Sequence, residues 1–231
     1  MTDDAPKLTM PVRASGETIH QWVFRGLRRA IMQGAFPPGQ AVTIRGLAEA
    51  MEVSAMPVRE ALRRLVAERA LTLLDNRRVR VPQMTPERFE ELYVARTVLE
   101  VEAAVRALPL IDAARLEKLR AIDETINQAI TRGDSESVVA GNFQFHLTLY
   151  SARRDSVLVP LIESVWLQTG PFMREALEAF PTAADGYDYH LAALDAIAAR
   201  DEAALRHAVT HDIRTGIGHL VSSRKLTSAA A

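Results

Sequence analysis

A chain of 231 residues can bury one large core or two small ones, and 48% hydrophobic against 25% charged residues marks it as a folded protein. It has no cysteine, which excludes disulfides, thiolate metal sites and cysteine nucleophiles and suits a reducing compartment. The net charge of −1 conceals an asymmetry: Arg13 to Pro82 holds 12 arginines, no lysine and six acidic residues, whereas the remainder is acidic on balance. A basic segment followed by an acidic one implies two domains with different partners, the basic one suited to phosphate.

Residues 1–14 read as a flexible tail, with no apolar core of a signal peptide, and no stretch has the run of about 18 apolar residues that a membrane span requires. A cytoplasmic location is expected. From Glu17, apolar Ile19, Val23, Leu27 and Ile31 recur every four residues and predict a helix ending near Gly34. Phe36-Pro37-Pro38-Gly39 is a turn. Thr43 is placed to cap a short helix from Ile44 to Met51, and Ser54 a third helix with Pro57 in its first turn. Leu71 to Leu74 and Val79 to Val81, around a polar turn, predict a hairpin.

Beyond the linker, helices are expected at about 86–107, 112–131, 135–153, 156–179, 184–200 and 202–223, punctuated by Pro109, Gly133 and Phe180-Pro181. Asp112, Asp134 and Asp201 stand at helix starts. The fold class is therefore mainly α: an N-terminal winged helix-turn-helix with a small β wing, then an all-α bundle of six helices. The domain limits are 15–82, a linker at 83–86, 87–223, and a flexible tail at 224–231.

Two helices joined at Met51-Glu52-Val53-Ser54 in a basic segment are the usual device for placing one helix in the major groove of double-stranded DNA. Ser54, Ala55, Met56 and Arg59 lie at the start of that helix, with Arg63 on the same face as Arg59. Arginine suits this position because its fork matches the O6/N7 edge of guanine. The wing tip offers Asn76, Arg77 and Arg78 to a backbone or the minor groove. A solvated arginine face is the alternative.

Residues 35–65 (AFPPGQAVTIRGLAEAMEVSAMPVREALRRL), above all VSAMPVREALRRL, resemble the DNA-binding domain of the GntR family of regulators. The helical remainder resembles the FCD ligand-binding domain of its FadR-type branch, so the resemblance covers about residues 17–223. It implies operator contacts from Arg45 and Arg59. It also shows two departures: Ala55 stands where an arginine is usual, and Ala70 replaces a glycine before the wing.

In the acidic half, Asn142 and His146 share one helix face, while His190 and Asp212 lie on the last two helices, Asp212 beside the stripe Leu205, Val209, Ile213. A carboxylate near a core needs a partner, and a metal ion is one. The FCD resemblance implies a divalent metal, zinc or a similar cation, held by this register. Two of its four positions match: Asn142 stands for an Asp and Asp212 for a His. A hydrogen-bonded core pair of His146 with Asn142 is the competing reading. His207 and His211, also four apart, fit a solvated face better, and Trp166 and Phe172 read as core. Arg96 matches an arginine that the resemblance places in the effector pocket, where it would clamp a small organic acid; a surface ion pair to Glu100 is the alternative.

The expected function is a homodimeric, metabolite-responsive transcription regulator, a repressor released by an organic acid, and not an enzyme. Two alternatives stand beside it: a metal-dependent hydrolase built on the His/Asp cluster, and a regulator whose helical domain only dimerises.

Overall fold

The computed structural model describes residues 8–74, 78–179 and 188–222. The chain divides into two compact units, one of residues 1–83 and 167–172, the other of 84–166 and 173–231. In the first, α1 (Ile19–Met32) opens with a capping box: the Thr18 side chain accepts from Gln21 N, and the Gln21 side chain accepts from Thr18 N. The apolar spacing buries Val23, Leu27 and Ile31 completely. Pro11 and Val12, at the end of the expected tail, bond to this helix. Trp22 Nε1 donates to Pro11 O at 2.7 Å and Arg25 to Val12 O at 3.0 Å.

Thr43 caps α2 (Ile44–Ala50) through Gly46 N. The turn into α3 (Ala55–Ala67) passes through Glu52, which takes the left-handed φ of 53° although it is not glycine. Ser54 occupies the N-cap position of α3 in extended conformation, but its hydroxyl makes no capping bond. α1 and α3 are joined by His20–Glu60 at 2.5 Å, by Arg28–Glu68 at 3.3 Å and by the Arg64 guanidinium 3.7 Å above the Phe24 ring.

The wing has three strands, not the two the sequence pattern suggests. β2 (Thr72–Leu73) and β3 (Arg78–Arg80) form the expected hairpin, and β1 (Ala41–Thr43) pairs antiparallel with the other edge of β3, Val42 opposite Val79. Both valines are buried, which fixes the register by placing the two on one face.

The second unit contains α4 (Pro86–Ala107), a 3-10 turn (Leu108–Leu110), α5 (Ala113–Thr131), α6 (Ser135–Tyr150), α7 (Leu158–Ala179) apart from residues 167–172, α8 (Tyr189–Ala199) and α9 (Glu202–Ser222). Thr85, Asp112, Asp134, Asp188 and Asp201 each accept from a free N–H at a helix start. α5 packs on α6 and α8, and α4 on α6 and α9. Gly141 permits the close approach of α5 and α6: a Cβ there would stand 2.6 Å from Ile126 Cγ1. Arg200 adopts a left-handed φ of 58° and donates to the carbonyls of Leu108 and Ile111, tying the end of α8 to the 3-10 turn. No helix among the described residues is long and apolar enough to cross a membrane.

Candidate functional site

The face of α3 that the sequence assigns to DNA is open. Ser54, Ala55, Met56, Arg59 and Arg63 are exposed, while Pro57, Val58, Ala61, Leu62 and Leu65 are buried and hold the helix against its neighbours. Met56 is 63% exposed, a high value for a large apolar side chain and one that suits contact with a groove. Among the described residues neither Arg59 nor Arg63 has an ion-pair partner. Arg45, 89% exposed at the start of α2, leans on Glu49 at 2.8 Å. Thr43, Arg45, Ser54, Ala55 and Arg59 line one concavity of about 640 Å³ formed by α2, the turn and α3. Arg78 opens β3 and is half-buried, its Nε without a hydrogen-bond partner among the described residues. Arg77 lies outside the described residues.

In the helical unit, His146 on α6, His190 on α8 and Asp212 on α9 converge, with ligand atoms all within 4.8 Å of one another. His146 Nε2 lies 2.9 Å from Asp212 Oδ2, and His190 Nε2 lies 3.6 Å from Asp212 Oδ1. Asn142, one turn before His146, sets its amide 3.3 Å from His190 Nε2. Its partner is thus His190 rather than His146. The two histidines are buried, whereas the Asp212 side chain is 20% exposed. Although near Asp212, His146 Nε2 has no hydrogen bond of acceptable geometry, so a buried nitrogen is left unpaired beside a carboxylate.

Three buried residues that spacing did not single out for this centre complete it. Asp123 on α5 stands 3.1 Å from His190 Nδ1 and is steadied by Asn127 at 3.3 Å. Tyr150 Oη lies 2.9 Å from His146 Nδ1 and donates to Glu100 Oε2 at 2.9 Å. Glu100 also accepts from Trp166 Nε1 at 2.9 Å. Arg96 does pair with Glu100, at 2.6 Å, but the pair is not at the surface: the two side chains are 2% and 0% exposed. The guanidinium lies 4.2 Å from the centroid of the Trp166 ring, so this tryptophan is core and bonding partner together.

The charges follow from that packing. Burial pushes the Asp212 carboxyl up, but His190, His146 and Arg96 outweigh it and hold the group down at about 2. Burial disfavours a charged His190, yet Asp212 and Asp123 raise its affinity for a proton above the ordinary imidazole value. Burial and the Glu100 charge push the Tyr150 phenol well above its usual range. His207 and His211 stand apart, exposed and half-exposed, their rings 4.1 Å apart and His211 stacked on Tyr189.

A three-stranded wing on a helix-turn-helix, followed by a helical unit with a buried histidine-carboxylate centre, defines a two-domain ligand-responsive DNA-binding regulator. The gntR family of bacterial regulatory proteins matches residues 20–81, and the FCD domain matches residues 91–215. The chain belongs to the GntR family and carries the FCD domain of its FadR-type branch, a family of transcription regulators and not of enzymes. It is 30% identical over 197 residues to the HTH-type transcriptional regulator McbR of Escherichia coli K12, across 84% of this chain and 89% of that one. The HTH-type transcriptional repressor GlaR of the same organism is 26% identical over 210 residues, covering 84% and 92%. The solved structure of E. coli McbR/YncC superposes with a TM-score of 0.82 at 27% identity, covering 90% of this chain and 99% of that one.

Proposed function

We propose that this regulator holds a divalent cation in its helical domain at His146, His190 and Asp212, with the Asn142 amide oxygen as a fourth donor after a flip of the amide. The buried Nε2 of His146, 2.9 Å from Asp212 Oδ2 but out of line for a hydrogen bond to it, carries the reading. Two imidazoles and one carboxylate within 4.8 Å suit zinc or a similar borderline cation, whose bonds to such atoms run about 2.0–2.2 Å. When bound, such an ion offers open coordination positions to an oxygen ligand. A small organic acid is the effector class those positions and the nearby arginine favour. Arg96 reaches such an acid only by exchanging the Glu100 carboxylate for that of the ligand.

The wing and α3, domain limits 15–82, serve the operator through Arg45, Ser54, Met56, Arg59, Arg63, Arg77 and Arg78. Residues 87–223 bind effector and pair two copies into a homodimer in the cytoplasm, since two half-sites require two recognition helices. Repression is the mode supported by the repressor names among the relatives, and the bound effector would relieve it. The acid shifts DNA affinity only as far as it binds the two states differently.

Elemental analysis of protein stripped by chelator and reloaded with zinc tests the centre. One ion per chain is expected, lost in His146→Ala and in His190→Ala while operator binding persists. No ion in the reloaded parent protein sinks the metal reading and leaves a helical domain that pairs chains without sensing through a cation.

A further inference from the structure

A neutral imidazole carries its proton on one nitrogen, and only the other can bind a cation. For His146 that choice is made outside the cluster of ligands. Glu100 receives Arg96 Nε at 2.6 Å, Arg96 Nη2 at 3.4 Å and Trp166 Nε1 at 2.9 Å. A carboxylate in such an ion pair only accepts, so the Tyr150 hydroxyl, 2.9 Å away, spends its single proton on Glu100. Tyr150 Oη then presents only lone pairs to His146 Nδ1, which must carry the proton to bond at 2.9 Å. Nε2 is left without a proton, its lone pair 2.9 Å from Asp212 Oδ2 and out of line for a hydrogen bond, a repulsive contact that a cation between the two would turn into coordination.

His190 is treated alike from the other side. Asp123 accepts at 3.1 Å from Nδ1, which therefore holds the proton, and Asn127 steadies the second carboxylate oxygen. Phe145 stacks on the imidazole with 4.1 Å between centroids and 15° between planes, fixing the direction of Nε2 toward Asp212 and Asn142.

We propose that Tyr150, itself oriented by Glu100, and Asp123 are positioning residues that lock both histidines as Nδ1–H tautomers, so that two Nε2 lone pairs and Asp212 converge on one cation. Neither residue touches the cation. The inference rests on the metal reading of this centre and adds what sets its affinity: outer partners of metal-binding histidines are typically worth 10–100-fold in binding. In the effector-free protein it also gives the buried Arg96–Glu100 pair a task, because without Arg96 the acceptor that orients Tyr150 would be an unpaired buried charge.

Two readouts on the full-length protein decide the matter. Zinc competition against a chromophoric chelator should show Tyr150→Phe and Asp123→Ala binding 10–100-fold more weakly than the parent, with His207→Ala unchanged. Long-range nitrogen–proton spectra of metal-free, histidine-labelled protein at alkaline pH should show His146 and His190 as Nδ1–H, and His146 should shift to Nε2–H in Tyr150→Phe. A merely structural tyrosine would leave that tautomer in place. An Nε2–H form at either histidine of the parent, or zinc binding within twofold of the parent in both variants, overturns the lock. Should the parent bind no zinc at all, the metal reading fails by itself and the spectra still decide the tautomers.

Discussion

Replacing Glu100 by glutamine should cost the helical domain about 3–5 kcal/mol, because it leaves the Arg96 charge buried without its partner. Both side chains are at most 2% exposed, so solvent does not relieve the loss, and the guanidinium keeps the face of Trp166, the weak Met173 sulfur contact and the more distant Asp212 charge. For a chain of this length each kcal/mol moves the melting midpoint by about 2–4 °C, so a fall of about 6–20 °C is expected. Trp166, which donates to Glu100, reports on that domain once the only other tryptophan is removed by Trp22→Phe. Urea and thermal melts followed at its fluorescence, in chelator, isolate this transition from that of the DNA-binding domain. Adding Arg96→Met to Glu100→Gln removes both charges and leaves an amide oxygen for Trp166 Nε1, so the double variant should be more stable than Glu100→Gln alone. A cost below about 1 kcal/mol for Glu100→Gln, or a double variant worse than the sum of the singles, would refute the view of a dry, mutually dependent pair.

Arg59→Ala should weaken specific operator binding by about 1–3 kcal/mol if it forks onto a guanine, read by titration at fixed salt; an unchanged affinity removes it from the reading surface. Thr43→Ala should cost about 1 kcal/mol through the lost cap on Gly46 N, whereas Ser54→Ala, whose hydroxyl caps nothing, should leave the melt within about 0.5 kcal/mol; any loss of DNA binding in the latter then lies in the interface. The pH dependence has two arms. In metal-free protein the raised affinity of His190 for a proton stabilises fully below its ordinary value of 6.5, and that contribution disappears as pH rises through the raised value. The lowered Asp212 contributes above its ordinary 3.8 and is lost as pH falls toward about 2. Zinc must displace a proton from His190, so the stability gained on loading should grow from pH 6 to pH 8, measured as paired melts with and without zinc.

Helices with four-residue apolar spacing were legible because their periodicity is set by burial, and their starts because Asp112, Asp134 and Asp201 cap them as their positions suggest. β1 was not, since three residues carry no period of their own and Val42 pairs with Val79 only through a contact distant in sequence. The convergence of His146, His190 and Asp212 followed from register, but the partner of Asn142 did not. Asp123 left a trace: it sits four residues after Leu119 and three before Ile126, a charge on a buried stripe. Tyr150, one turn after His146, left none, because a tyrosine on an apolar face reads as core. Nor does a sequence say whether an i, i+4 ion pair such as Arg96–Glu100 faces water or the interior; helix packing decides.

Gly141 gives this centre a control knob that no ligand residue supplies. It lies next to Asn142 on α6, pressed against Ile126, which is three residues beyond Asp123 on α5. A methyl group at position 141 would stand 2.6 Å from Ile126 Cγ1, so the isoleucine side chain, or the helix that carries the partner of His190, must give way. If this centre holds the proposed cation, its affinity can therefore drift in small steps, through the girth of side chains where two helices touch, while every atom that would hold the ion remains the same.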